Sequence, residues 1–540
     1  MNRERLTLIA LVAILLLSVF VIWSVGPGSL REETNSVLKR GLVSDPESLD
    51  PQRARTVQAN DVLRDIGEGL ASYSPSGDLV PGVAESWDAS PDGLTYTFTL
   101  RADARWSNGD PVTADQFVFS LRRLVDPATG AFYAELLANI ENVPEILRGD
   151  KPPTDLGVEA PDAHTLVIRL SSPTPYLPKL MALPSTFPVH PPTLKKYGDV
   201  FARPGNLVSN GAYKLDTWQP GSMLSLSRNE HYWNNAATAI DEVQYLVLTD
   251  ENTQLNRFRA GELGITDTVP PKDVEALRKE FGDQLHFAPY LGVYYYGFNL
   301  TMPPFKDNPA LRQALSMAID RDALVKKVTR RGERPAYSWV PPNLGNYQPR
   351  RFPYADLSQD ERNRKALQLY NEAGYDQDHP LHVTLHYVAS DTDEAIAVAV
   401  RDMWRQVLGV EIDLRSVELK VLLALIHQRK VTQIFRSSWI GDYDEPNTFL
   451  EIMQSDNPAN LPAYSSSDFD ALMKKAAAQT DPERRELFLE EAERQMLADH
   501  PLIPLYFYVS KHLVDSRVRG WQDNMLDYHY SQQLSLAPQE

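Results

Sequence analysis

The chain has 540 residues, 43% hydrophobic and 23% charged, which is the composition of a globular protein and enough length for two or three domains. A formal net charge of -18, from 72 acids against 54 bases, would repel a phosphate backbone, so no nucleic acid is expected as a partner. Cysteine is absent, which excludes disulfides, thiol catalysis, cysteine-type zinc sites and a lipid-modified N-terminal cysteine.

The chain opens on a short basic stretch, MNRER, followed at residues 6–23 by LTLIALVAILLLSVFVIW, apolar and long enough to cross a bilayer. Arg3 and Arg5 assign that start to the cytoplasm and everything after Trp23 to the outside, so the bulk of the protein is expected in the periplasm. Pro27 disturbs the small-residue pair Ser24 and Gly26 that a signal peptidase would use, so the segment reads as an uncleaved membrane tether, with a cleaved signal peptide as the alternative. A polar tether leads to the folded part, which starts near residue 37.

VLKRGLVSDPESLDPQ predicts a short strand running into a proline-punctuated loop. GLTYTFTL alternates like a half-buried strand, and an Asn-Gly turn then leads to a helix capped by Thr113 with Asp115 in its first turn. Strands are expected at HTLVIRLS, GAYKLDTWQ, MLSLSRN and EVQYLVLT, and helices at ENTQLNRFRAGEL and PKDVEALRKEFG. The second half alternates VYYYGFNL as strand, NPALRQALSMAIDRDALVKKVT as one helix, LHVTLHYVAS as strand, DEAIAVAVRDMWRQVLG as helix, VEIDLRSV as strand and LKVLLALIHQR as helix. Strands and helices taking turns predict βαβ units in a layered α/β fold.

Nucleophile-elbow, zinc-protease, phosphate-loop and dinucleotide-binding motifs are all absent, and no enzyme activity, metal or cofactor is indicated. His382 and His386 share one face of a strand but bring no third ligand with them. YYYGFN, Tyr294 to Asn299, reads equally as a ligand-lining patch or a buried strand; EHYWNN and DYHYS are weaker signals of the same kind. RSSWIGDYDEP is the sharpest feature, because it sets Asp442 between Ile440 and Tyr443, where the pattern is that of a core or cleft wall. A buried carboxylate needs a partner, so Asp442 either caps a helix near Pro446, pairs with Arg436, or meets a cationic ligand.

Four stretches, PGVAESWDASPDGLTYTFTLRADARWSNGDPVTADQFVFSLRRLVDP, ARPGNLVSNGAYKLDTWQPGSMLSLSRNEHYWNNAATAIDEVQYL, YYYGFNLTMPPFKDNPALRQALSMAIDRDAL and RSSWIGDYDEPNTFLEIM, resemble in content and order the oligopeptide-binding receptors of ATP-driven peptide importers. The likeness runs from about residue 38 to the end of the fold. It implies a multi-lobe periplasmic-binding-protein fold with the ligand enclosed between three lobes. Domain I would be assembled from residues 37–67, 192–294 and 510–540, domain II from 68–191 and domain III from 295–509, after a signal or anchor helix and tether at 1–36. It also implies a non-enzymatic, monomeric receptor that holds short peptides as extended strands and delivers them to an inner-membrane permease.

Carried over by position, the resemblance makes Asp442 the partner of the peptide α-ammonium. Ser438, Ile440, Val57 and Tyr133 fall where backbone groups meet the peptide, Trp439, Tyr290, Tyr295 and Tyr508 where aromatics line the cleft, and Arg436 where a peptide carboxylate can be met. The chain departs from the pattern where relatives place cations for the peptide C-terminus: those positions fall near Thr329, Asp393 and Ile426. Leu419 replaces a cleft tryptophan and Arg55 a glutamate, which leaves Arg55 or Arg330 for the far end of the ligand and makes a preference for murein peptides an alternative. An anchored peptide sensor or chaperone without an importer, and a peptide hydrolase, are the rival readings.

Overall fold

A computed structural model describes residues 36–270, 274–431 and 433–538. The apolar segment at 6–23 and its tether lie outside the described residues. Among the described residues, no helix is long and apolar enough to cross a membrane.

Strand β1 (Val37–Leu42) is followed by the helix Val57–Ile66, capped by Thr56, and by a small hairpin of β2 (Ala71–Tyr73) and β3 (Leu79–Pro81). Strands β4 (Ala84–Ala89), β5 (Thr95–Leu100), β6 (Val158–Asp162) and β7 (Thr165–Arg169) form an antiparallel sheet in the order β4-β5-β7-β6. The alternating apolar residues of β5, Tyr96, Phe98 and Leu100, point into the core beneath the helix Ala114–Val125. Thr113 and Gln116 cap that helix reciprocally in a capping box. Strands β8 (Tyr213–Gln219), β9 (Met223–Arg228) and β10 (Glu242–Val247) then return to β1, which joins β10 in parallel, giving the order β1-β10-β9-β8.

The largest sheet comprises β11 (Leu285–Phe298), β12 (Arg334–Pro335), β13 (His382–Val388), β14 (Glu411–Val417), β15 (Ile434–Ile440) and β16 (Leu502–Leu513), ordered β12-β16-β11-β15-β13-β14. β13 and β14 run parallel and are linked by the helix Asp391–Leu408, the expected βαβ unit, whereas β11 pairs antiparallel with both β15 and β16. β17 (Val518–Arg519) and β18 (Ser535–Leu536) close the chain as a small pair.

The single helix expected at NPALRQALSMAIDRDALVKKVT is two. Asn308 caps Pro309–Met317, and Asp320 accepts from the Ala323 N–H at 2.9 Å to start a second segment, Arg321–Ala323, that widens into π turns over Leu324–Thr329. An aspartate able to satisfy orphan N–H groups out-competes continuation of the first helix.

Three apolar cores lie under the three larger sheets. One gathers residues such as Leu38, Val62, Tyr213, Tyr245 and Leu534; the second Phe98, Trp106, Leu121, Ile168 and Leu180; the third Tyr294, Trp339, Trp404, Phe449 and Leu505. Tyr443 is buried in the second core although its neighbours in sequence belong to the third.

Candidate binding site around Asp442

Strand β15 delivers the chain to Asp442, and the residues that follow are all committed to other partners. The Gly441 N–H donates to Leu291 O at 2.8 Å and the Asp442 N–H to Thr448 Oγ1 at 3.2 Å, fixing the backbone. Tyr443 is buried, its ring stacked on Tyr176 with centroids 4.9 Å apart and planes at 6°. Asp444 pairs with Lys179 at 3.0 Å, and Glu445 with the buried Arg485. The Asp442 carboxylate itself makes no hydrogen bond or ion pair among the described residues, and burial alone pushes its pKa up to about 7. Neither structural reading of this residue holds: Arg436 pairs elsewhere, and the short helix Asn447–Leu450 has no side-chain cap.

The strand before it offers a free edge. Gly441 donates to Leu291 O and Asn299 to Gln433 O, so the odd-numbered residues of β15 point their N–H and C=O groups at β11. The even-numbered residues point the other way, toward β13, but β13 pairs only with Ile434 and Phe435. Ser438 and Ile440 therefore present backbone donors and acceptors on an edge that no described strand covers. The Ile440 side chain is exposed, and with the Tyr508 ring it closes over Gly292, where an added Cβ would meet both. Tyr508 stands edge-on to Tyr506 at 5.5 Å.

Arg436 reaches this region already paired. Its Nε lies 3.2 Å from Asp393 Oδ2, its guanidinium sits 4.6 Å from the centre of the Tyr294 ring, and the Tyr294 hydroxyl donates to Asp393 Oδ1 at 2.8 Å. Asp393 thus spends the charge that the sequence assigns to a peptide carboxylate. Thr329 donates to Glu333 at 2.9 Å and Ile426 is buried, while Arg55 and Arg330 are exposed cations.

Two further segments face Asp442. The Tyr133 hydroxyl donates to Arg55 O at 3.4 Å; burial, and after it the charge of Asp442, hold its pKa well above the usual phenol value. Next to Arg55, Val57 is 51% exposed at the first turn of its helix. Tyr290 is half-buried beside Leu291, its hydroxyl held high by burial and by Asp527 and Tyr528. Tyr528 is a member that the sequence reading did not single out: burial raises its pKa, Asp442 adds to the rise, and its ring carries the Arg64 guanidinium at 3.9 Å and meets Tyr73 edge-on at 5.6 Å. Its signal was the aromatic cluster DYHYS.

Ser438, Ile440 and Tyr508 thus lie along the edge that ends at Asp442, whose charge also reaches Tyr133 and Tyr528. Trp439 is half-buried beside it with an unpartnered indole N–H. Tyr295 is placed differently: it is 2% exposed and packs edge-on against Trp339 at 5.0 Å, because β11 is covered on both faces from Leu291 to Phe298. His382 pairs with Glu411 at 3.0 Å on an exposed edge, and His386 keeps one buried nitrogen unpartnered.

An unpaired carboxylate beside a free strand edge suits an extended chain that ends in a cation, and similar proteins carry the same fold. The periplasmic oligopeptide-binding protein OppA of Escherichia coli is 39% identical over 515 residues, covering 95% of this chain and 94% of its own. The solved structure of the Escherichia coli murein tripeptide binding protein MppA matches with a TM-score of 0.82 and 36% identity, over 94% of this chain and 99% of that one. The Haemophilus influenzae OppA complex with RPPGFSPFR matches with a TM-score of 0.79 and 33% identity, over 93% and 99%. Residues 78–460 match the description "Bacterial extracellular solute-binding proteins, family 5 Middle". With that match, and with relatives alike over nearly their whole length, the chain belongs to family 5 of the bacterial extracellular solute-binding proteins and has their α/β periplasmic-binding-protein fold.

Proposed function

We propose that this protein is a periplasmic receptor that captures short peptides as an added strand on the free edge of β15, with the peptide α-ammonium on Asp442, and delivers them to an ATP-driven importer. The observation that carries this reading is the partnerless, half-buried carboxylate at the end of an uncovered strand edge. Backbone hydrogen bonds to Ser438 and Ile440 are the same for every peptide sequence, so such a site accepts many peptides, while a free amino terminus is selected by charge. The relatives named as oligopeptide-binding support the class of ligand.

The three cores support a three-lobe arrangement in which the first lobe is assembled from separate stretches of chain. A peptide touching several lobes stabilises the closed form by its differential affinity for it. Micromolar to nanomolar binding, about -8 to -12 kcal/mol, fits such a receptor. The basic start and apolar stretch at 6–23 act as the export signal and, if retained, as the membrane tether. The pairing of Arg436 with Asp393 favours a second reading, a receptor preferring murein peptides, because it removes one cation from those that would meet an ordinary C-terminal carboxylate.

Native mass spectrometry of the exported part, residues 37–540, purified without refolding, tests the ligand class. Co-purified peptides with free amino termini are expected. Protein that carries no peptide, or only ligands without an amino terminus, would overturn the proposal.

A further inference from the structure

His512 on β16 and His529 in the C-terminal segment both aim their Nε2 atoms at one carboxylate. His512 Nε2 lies 2.9 Å from Asp527 Oδ1 and 3.1 Å from Oδ2, and His529 Nε2 lies 3.1 Å from Oδ1. One ligand atom from each of the three residues falls within 4.8 Å of the other two. The other nitrogen of His512, Nδ1, contacts Thr266 O at 2.9 Å. A carbonyl only accepts, so Nδ1 carries the hydrogen, and in the neutral ring Nε2 turns its lone pair on the carboxylate. Two oxygens and a lone pair facing each other repel unless a positive charge sits among them.

We propose that His512, Asp527 and His529 bind one divalent transition-metal ion of the zinc class through two imidazole nitrogens and a carboxylate oxygen, with a fourth position for water. An N2O donor set suits zinc and its neighbours, whose bonds of about 2.0–2.2 Å hold tetrahedral ligand atoms roughly 3.3 Å apart, so the two nitrogen-to-oxygen spacings of 2.9 and 3.1 Å need to open by only a few tenths of an ångström to admit the ion. The rings are set for this. The Nδ1–H to Thr266 O bond is the outer contact that orients a metal-ligating histidine. Trp521 stacks on the His529 ring at 3.6 Å with planes at 17°, and meets His512 edge-on at 5.2 Å. The Trp521 indole N–H is in turn fixed by Asp523 at 3.0 Å. Asp267 adds a second negative charge that His512 feels, while the Arg40 guanidinium, which donates to His529 O, lies 4.0 Å from Asp65. The sequence does not advertise the site, because its ligands are split between a strand and a loop. A bound ion would tie β16 to the C-terminal segment.

The test uses the full chain, stripped with chelator and titrated with Zn2+ by calorimetry, alongside His512→Gln and His529→Gln. Wild type is expected to bind one equivalent at micromolar affinity or tighter and to gain thermal stability from the ion. Each variant should bind at least about 100-fold more weakly and lose that gain, while His382→Ala behaves as wild type. X-ray absorption at the zinc edge of the wild-type protein, which needs no variant to fold, should show two imidazoles and one carboxylate. Absence of binding, binding equal in wild type and both glutamine variants, loss in His382→Ala, or a zinc shell without two imidazoles would overturn the proposal and leave a proton as the charge between these groups.

Discussion

Asp442 stays available because its neighbours do not. Tyr443 is locked into an apolar core, Asp444 is held by Lys179 and Glu445 by Arg485, so the one acid left over is the one at the end of β15. Burial lifts its pKa from 3.8 to about 7, so the ligand-free protein holds a proton there up to neutral pH. An ammonium requires the ionised form, and the bound state keeps it ionised. Proton release therefore accompanies binding below pH 7, and affinity for a peptide with a free amino terminus should fall as pH drops, by about tenfold between pH 6 and pH 5. Titrations at pH 8, 6 and 5 check this, and Asp442→Asn should flatten the profile. That variant also separates Asp442 from Glu451, which burial pushes up to about 8. At this scale the sequence was informative where a charge interrupted an apolar run, as at Asp442. It carried only the weak aromatic signal of DYHYS for Tyr528 and nothing for the Asp393 to Arg436 pair, whose partners lie far apart in the chain and meet only through the fold.

β15 works as an element because of what lies on each side of it. β11 supplies a full antiparallel ladder on one side, and β13 leaves after two residues on the other. Of the backbone groups left uncovered, the N–H of Ser438 serves no ladder, so a proline there costs β11 nothing in hydrogen bonding. Ser438→Pro should weaken every peptide about tenfold, the net worth of one hydrogen bond near 1.5 kcal/mol, independent of peptide sequence, whereas Ser438→Ala should bind as wild type. Equilibrium titration with three peptides of unrelated sequence decides it; an unchanged affinity in Ser438→Pro would mean that the edge is not used. Strands and caps of this kind were legible, from alternation in β5 and from Thr113 with Gln116. The break at Asp320 was not, because the flanking apolar spacing continues through it and only the competition between a cap and one more helical turn decides. The free edge was also illegible, since it depends on where β13 diverges.

Across the whole molecule, the segment after β15 contributes to two of the cores at once. Tyr443 belongs to the core under β4-β5-β7-β6 while Phe449 and Leu450 belong to the core under the largest sheet, so Asp442 sits where the two meet. Arg123 reaches from the helix Ala114–Val125 to Asp50 and Gln52 in the first segment, tying the core under β4-β5-β7-β6 to the one under β1-β10-β9-β8. Tyr133 and Arg55 bring the same two bodies to the region around Asp442. The alternation of strands and helices predicted a layered α/β protein. The antiparallel pairing throughout one of the three larger sheets and within the two mixed ones, and the return of the chain from residue 510 to its first strands, depend on long-range pairing that local pattern does not encode.

The proposed contact between Asp442 and a peptide ammonium is open to a direct test. One peptide, with its amino terminus free or acetylated, titrated by calorimetry into wild type and Asp442→Asn, completes a thermodynamic cycle. Acetylation should cost wild type about 2 kcal/mol or more and cost Asp442→Asn almost nothing, a coupling that only a direct contact produces. Independent, additive losses from the two changes would contradict the claim and move the ammonium elsewhere in the cleft.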